Sequence, residues 1–329
     1  MKEHCQGRAA RRSTMGHPLK IAPDGPVIVI GAVNMDLSGT PAAALRDGDS
    51  NPGRVTMTPG GVARNIAENL ARLGRKVSLI TAMGDDLYAA FIRERSLNSG
   101  IDLSLSLTFP YARTSTYLCV NESNGDLHTA VSDMAICDLI TPEKLSPLLG
   151  QINKASLVLA DANLPEETLL FLAEKTEVPL AADPVSAAKA ARLKGILPRL
   201  VLMKPNVAEA EILTGMQVRQ DGDLHRLSDA LRAMGVERVY ISLGERGVWA
   251  DDGRESELIS CFPGTVRNTT GCGDAFVAAA ADAWLRGLGT LDAARRALAA
   301  AAICAADTSA VSPALTAEAV ELMMSSRLN

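Results

Sequence analysis

A chain of 329 residues can hold one large α/β domain with insertions or two smaller domains. Apolar residues make up 47% of it and aromatics only 3%, so the core must be built from Ala, Leu, Val and Ile. The formal charge of -5, with no Lys/Arg run beyond Arg11-Arg12, excludes a basic phosphate-tracking groove for nucleic acid. No apolar run reaches the about 18 residues that span a bilayer, so no membrane partner is expected.

The first 26 residues are basic, rich in Gly, His and Pro and without periodicity, and read as a disordered tail, with Met15 as an alternative start. No apolar stretch follows the basic residues as in a signal peptide. The six cysteines (Cys5, Cys119, Cys137, Cys261, Cys272, Cys304) are scattered, without a C-x-x-C pair or histidines at zinc-ligand spacing, and read as reduced thiols of a cytoplasmic protein.

From Val27 onward short apolar runs bounded by Gly, Asn, Asp or Pro predict buried strands. They are Val27–Ile30, Val77–Thr81, Leu157–Ala160, Leu180–Ala182, Leu200–Met203 and Val239–Leu243. Helical spacing falls between them, over Val62–Leu73, Asp86–Asn98, Glu166–Glu174 and Asn206–Leu213. Three more helices follow, at Gly273–Leu285, Leu291–Ala306 and Leu315–Met324. Alternation of this kind predicts a three-layer α/β/α fold with a mostly parallel central sheet, formed by residues 27–329 as a single domain. Two segments break the rhythm, residues 37–58 and 114–133, where polar and β-branched residues alternate as in half-exposed strands. Asn124-Gly125 marks a hairpin in the second, and together the two predict a small antiparallel β lid.

Three stretches carry chemistry. Gly31 to Asp36 leaves the first strand, where Asn34 and Asp36 can meet ligand hydroxyls; a turn serving its own backbone is the commoner use of such residues. Pro59 to Gly74 opens a helix with Gly60-Gly61, and the amide of Asn65 one turn in supplies both donor and acceptor for sugar hydroxyls. The rest of that helix reads as an amphipathic face closed by Gly74.

Asn268-Thr269-Thr270-Gly271-Cys272-Gly273-Asp274 stands before an Ala-rich helical run. Glycines at a helix start leave N–H groups and the positive dipole end free for an anion such as a transferring phosphoryl group. Asp274 beside it can take the proton of an attacking hydroxyl. On local sequence alone an N-capping Asp after a Gly turn is an equal reading. The chain has no G-x-x-x-x-G-K-[ST] and no G-x-G-x-x-G after a strand, which disfavours P-loop ATPases and Rossmann dehydrogenases.

Gly60–Gly74 and Thr269–Phe276 resemble the two signatures of the PfkB (ribokinase-like) carbohydrate kinase family. Asn34-Met35-Asp36, Lys204-Pro205-Asn206-x-x-Glu209 and Ser242-Leu243-Gly244-x-x-Gly247 fall in the family's order. The resemblance implies a ribokinase-like fold and ATP-dependent phosphorylation of a sugar or nucleoside hydroxyl. It makes Asp274 the base and Gly271, Cys272 and Gly273 the anion hole. Asn34, Asp36, Gly60, Gly61 and Asn65 would grip the sugar. Asn206, Ser242, Gly244, Gly247 and Thr269 would face the nucleotide, and Glu209 would hold Mg²⁺ through water, helix capping being the plainer use of Asn206 and Glu209. Asn268 stands where many members carry Asp, in a region linked to a monovalent cation, K⁺.

Within the family, Asp49-Ser50-Asn51-Pro52-Gly53, Thr58 to Asn65, Asp133-Met134 and Asn163 are most similar to members that phosphorylate pseudouridine. Asn163 and Asp133 thus join the substrate residues, and a homodimer is expected. Ribose, adenosine or a ketohexose as substrate, and a non-catalytic nucleoside sensor, are the rival readings.

Overall fold

The computed structural model describes residue 22, residues 24–220 and residues 222–326. Most of the expected N-terminal tail therefore lies outside the described residues. Val27–Ile30 (β1) is buried at every position, as a strand covered on both faces must be. The chain then leaves the main sheet, and Asn34–Pro41 (β2) pairs antiparallel with Gly53–Gly60 (β3). Gly61 hands the chain to Val62–Arg72 (α1), after which Val77–Ile80 (β4) returns beside β1. Ala82–Met83 (β5), Leu87–Asn98 (α2), Ile101–Asp102 (β6) and Leu107–Thr108 (β7) follow. Asp86 caps α2 by accepting the Ala89 N–H at 2.8 Å.

Thr116–Asn121 (β8) and Leu127–Asp133 (β9) form a second hairpin around Asn124-Gly125. Next come Pro142–Leu145 (α3), Leu149–Ile152 (α4), Leu157–Asp161 (β10), Glu166–Lys175 (α5), Leu180–Asp183 (β11) and Ala187–Ala190 (α6). Leu200–Met203 (β12), Val207–Thr214 (α7), Gly222–Ala233 (α8) and Val239–Ser242 (β13) continue the alternation. Val248–Asp251 (β14) and Ser256–Ile259 (β15) precede Cys272–Leu285 (α9), Thr290–Ala305 (α10) and Ala317–Ser325 (α11).

The large sheet has nine strands in the order β15-β14-β13-β12-β11-β10-β1-β4-β6. It is parallel from β6 to β13 and antiparallel over β13, β14 and β15. The period of two along a strand divides the core: Val27 and Val29 pack with Leu70 of α1 and Phe276 of α9, while Ile28 and Ile30 pack with Leu169 of α5 and Leu227 of α8. Each fully buried Val, Leu or Ile contributes about 1.5–3 kcal/mol, and both faces are densely supplied. This is a three-layer α/β/α arrangement.

The smaller sheet, in the order β3-β2-β8-β9, joins the two hairpins through a parallel pairing of β2 with β8. Its strands start earlier and end later than the sequence indicated, at Asn34 and Gly60, so both ends of its first hairpin carry site residues. The antiparallel end β14–β15 and the helices α3, α4, α6 and α8 were not anticipated. The two edge strands are only four residues each and Ser256–Ile259 mixes polar and apolar residues, which blurs the buried-strand pattern.

Candidate active site

The site gathers at the carboxyl ends of β1, β10, β11, β12 and β13, where an open parallel sheet leaves a crevice for ligand. Out of β1, Asn34 Nδ2 donates to Asp36 Oδ1. Burial pushes the Asp36 carboxyl up to about 6, opposed by that hydrogen bond and by the Arg64 guanidinium. Gly60 is opposite Asn34 in the β2–β3 ladder, and a side-chain carbon on it would stand 2.0 Å from Asp36 Oδ2. Gly61 has φ 99° and lies against Ala32 O, so this turn accepts no side chain at either position.

Asp161, at the end of β10, ties this region together. Its carboxylate accepts the N–H groups of Ala32 at 3.0 Å, Ala63 at 3.1 Å and Asn163 at 2.9 Å. Burial pushes it up to about 6 in spite of those bonds. Asn163 is thereby anchored beside the Asn34 loop, and its Oδ1 accepts Lys189 Nζ at 2.5 Å. Asp133, by contrast, is exposed at the end of β9, and its carboxylate accepts the Ala135 N–H at 3.5 Å.

Helix α9 begins with Gly271 at φ 79°, in contact with Ala310 O, and carries no side-chain cap. The N–H groups of Gly273 and Asp274 belong to the first turn and have no intrahelical acceptor. The Cys272 N–H is turned instead to Thr269 O at 3.3 Å, which leaves the cradle to its two neighbours. The Cys272 side chain is half-buried; a hydrogen bond with the Cys304 thiol lowers its pKa, and burial opposes this. Asp274 Oδ2 accepts Asn65 Nδ2 at 2.9 Å, which joins the start of α9 to the start of α1. Burial, reinforced by the Asp183 and Asp161 carboxylates, pushes Asp274 up to about 8, against the pull of Asn65 and of the Lys204 ammonium. A carboxyl poised in that way, beside uncapped helix amides, can take a proton from a hydroxyl while an anion rests on the amides.

On the other side, Asn206 and Glu209 form a capping box at α7: Asn206 Oδ1 accepts the Glu209 N–H at 2.9 Å and Glu209 Oε2 accepts the Asn206 N–H at 2.8 Å. Glu209 is 5% exposed and its Oε1 accepts no hydrogen bond among the described residues; a carboxylate oxygen free in this way suits a hard cation or its water. Ser242 bridges to Asn206 and donates its N–H to Pro205 O. Gly244 (φ 63°) and Gly247 (φ 103°) make the tight turn between β13 and β14.

Thr269 is exposed at the mouth of the α9 turn. Asn268 is fully engaged, Nδ2 donating to Thr308 O at 3.0 Å and Oδ1 accepting the Thr270 N–H at 2.9 Å. Through these two bonds Asn268 pins the loop before α9 to the loop that follows α10. Sequence reasoning quoted Lys204 only as part of a motif and gave no role to Asp161 or Asp183. All three stand at the ends of strands that are adjacent only in the sheet.

Fold and site together define a phosphotransferase that acts on a hydroxyl, and the model of the pfkB family of carbohydrate kinases matches residues 25–317: the chain belongs to that family. It is 36% identical over 264 residues to pseudouridine kinase of Escherichia coli (strain K12), covering 80% of this chain and 84% of the relative. Among solved structures, a carbohydrate kinase from Agrobacterium tumefaciens superposes with TM-score 0.82 at 32% identity, over 92% of this chain and 97% of that one. An Arabidopsis thaliana ribokinase complexed with ribose and ATP shares the fold, with TM-score 0.80 at 22% identity, over 91% and 98% of the two chains.

Proposed function

We propose that the protein transfers the γ-phosphoryl group of ATP to the 5'-hydroxyl of pseudouridine, giving pseudouridine 5'-phosphate. The observation that carries this reading is the Asp274–Asn65 pair at the uncapped start of α9, with the Asp36 carboxyl packed against Gly60. The ring hydroxyls lie on Asp36, Asn34 and Asn65, the backbone of Gly60 and Gly61 closes on the ribose, and Asn163 faces the base. The 5'-hydroxyl proton passes to Asp274 as the new P–O bond forms. The nucleotide occupies the side of Asn206, Ser242, Gly244, Gly247 and Thr269. Glu209 would hold Mg²⁺ through water, and the ion would supply neutralisation of the triphosphate charge.

The β2–β3–β8–β9 sheet serves as a lid that excludes water during transfer. Its register puts Asp36, Thr58, Tyr117 and Ser132 in one cross-strand row, and Leu37, Met57, Leu118 and Val131 in the next, on the opposite face. Met57, Leu118 and Val131 are exposed there, and a second copy covers them in a cytoplasmic homodimer.

The test is ATP consumption with Mg²⁺ in the presence of pseudouridine, uridine, adenosine, ribose or fructose, followed by mass spectrometry of the product. Turnover dependent on pseudouridine is the expected result. Turnover with another acceptor alone moves the substrate and keeps the kinase, whereas ATP binding without turnover revives the sensor.

A further inference from the structure

Lys204 directly follows β12, and only 9% of it is exposed. Its ammonium is aimed at the start of α9: a side-chain carbon on Gly273 would stand 3.4 Å from Lys204 Nζ and 3.6 Å from Cε. The missing side chain at 273 thus opens the space in front of the ammonium. Lys204 makes no hydrogen bond and no ion pair among the described residues, although Asp183, Glu209 and Asp274 all feel its charge. The side chain is largely buried while the ammonium keeps its donors free of protein acceptors, so an incoming anion can take them without breaking a contact of the fold. The Gly273 and Asp274 N–H groups are unused at the same place. Two independent sets of donors, one from a helix start and one from a strand end, converge on one small volume beside Asp274.

We propose that Lys204 is a further catalytic residue, whose ammonium donates hydrogen bonds to the oxygens of the phosphoryl group while it is being transferred. The inference rests on the kinase reading above. In the step, the acceptor hydroxyl oxygen forms the new bond to phosphorus and its proton goes to the Asp274 carboxylate. The bond from phosphorus to the bridging oxygen breaks, and its electron pair stays on the departing diphosphate. Lys204 remains protonated throughout and moves no proton. Its part is to hold the equatorial oxygens while neither the old nor the new P–O bond neutralises them, which a positioned cation in a water-poor site does well. The competing explanation is that Lys204 only balances the buried Asp183 and Glu209 carboxylates.

The experiment compares wild type, Lys204→Met and the double variant Lys204→Met/Asp183→Asn, which removes a buried positive and a buried negative charge together. The double variant is expected to melt close to wild type, to keep its affinity for nucleoside within about twofold, and to lose ~10²-fold or more in kcat. Inorganic tripolyphosphate, titrated by calorimetry, should bind both variants about tenfold more weakly than wild type, as loss of one charge-assisted hydrogen bond implies. If Lys204 is only a counter-ion, the double variant recovers wild-type turnover and tripolyphosphate binding, and the proposal is overturned. A folded Lys204→Met protein with undiminished kcat overturns it as well. Wild type that phosphorylates no hydroxyl acceptor defeats the kinase reading itself, which separates that failure from this one.

Discussion

The base role proposed for Asp274 and the buried setting of its carboxyl make two demands that can be measured apart. Asp274→Asn should lower kcat by ~10²–10⁴ while calorimetry still detects nucleoside binding, because a base is lost and a hydrogen-bonding shape is kept. Burial raises the native carboxyl to about 8 from its ordinary value of 3.8, so the unfolded chain releases this proton more readily than the folded one. Native stability therefore falls as pH rises from about 4 to about 8, and the Asn variant should melt higher than wild type at pH 8.5 and no higher near pH 4. For the same reason kcat/KM of the wild type should climb through about pH 8 as the base form appears. A profile flat from pH 6 to 9 would sink the assignment. Asp36→Ala should remove nucleoside binding in calorimetry, since buried hydroxyls would lose their acceptor. Asp274, Asp36, Asn65 and the glycines around them could be singled out as candidates because each stands in a short, local motif, and the fold brings Asn65 and Asp274 together.

At the scale of elements, the start of α9 depends on backbone that only glycine provides. A side-chain carbon on Gly271 would stand 1.8 Å from Ala310 O, at a φ of 79°. Gly271→Ala should lower the unfolding free energy by about 1–3 kcal/mol in urea and weaken phosphate binding with it, since the helix start must shift to admit the methyl group. Unchanged stability and unchanged binding would mean that this turn is not the anion-holding one. The helices bearing the motifs begin and end within a residue of the spans that helical spacing predicted, as with Val62–Arg72 (α1) and Val207–Thr214 (α7). Helix α6 and the neighbouring 3-10 turn of residues 191–199 escaped notice, since short helices with Gly195 and Pro198 nearby carry too few turns for a period to show.

For the whole molecule, the alternation along the small sheet puts a polar row and an apolar row on opposite faces, and Met57, Leu118 and Val131 of the apolar row are exposed. Sedimentation should find a dimer for wild type and a monomer for Met57→Lys/Val131→Lys, both residues being exposed and so of little cost to the fold. Wild type sedimenting as a monomer would leave the apolar row uncovered and retire the homodimer.

The order of strands and helices, the glycine turns and the motif that holds the candidate base are written in the sequence, because each is decided by residues close together along the chain. Tertiary structure decided the rest. Asp161, Asp183 and Lys204 are ordinary residues after short apolar runs, and they become a shared electrostatic site only because β10, β11 and β12 are neighbours in one parallel sheet. The raised pKa of Asp274 is likewise a property of burial and of charges from distant strands. Such fields act through space, and the sequence near Asp274 holds no trace of them.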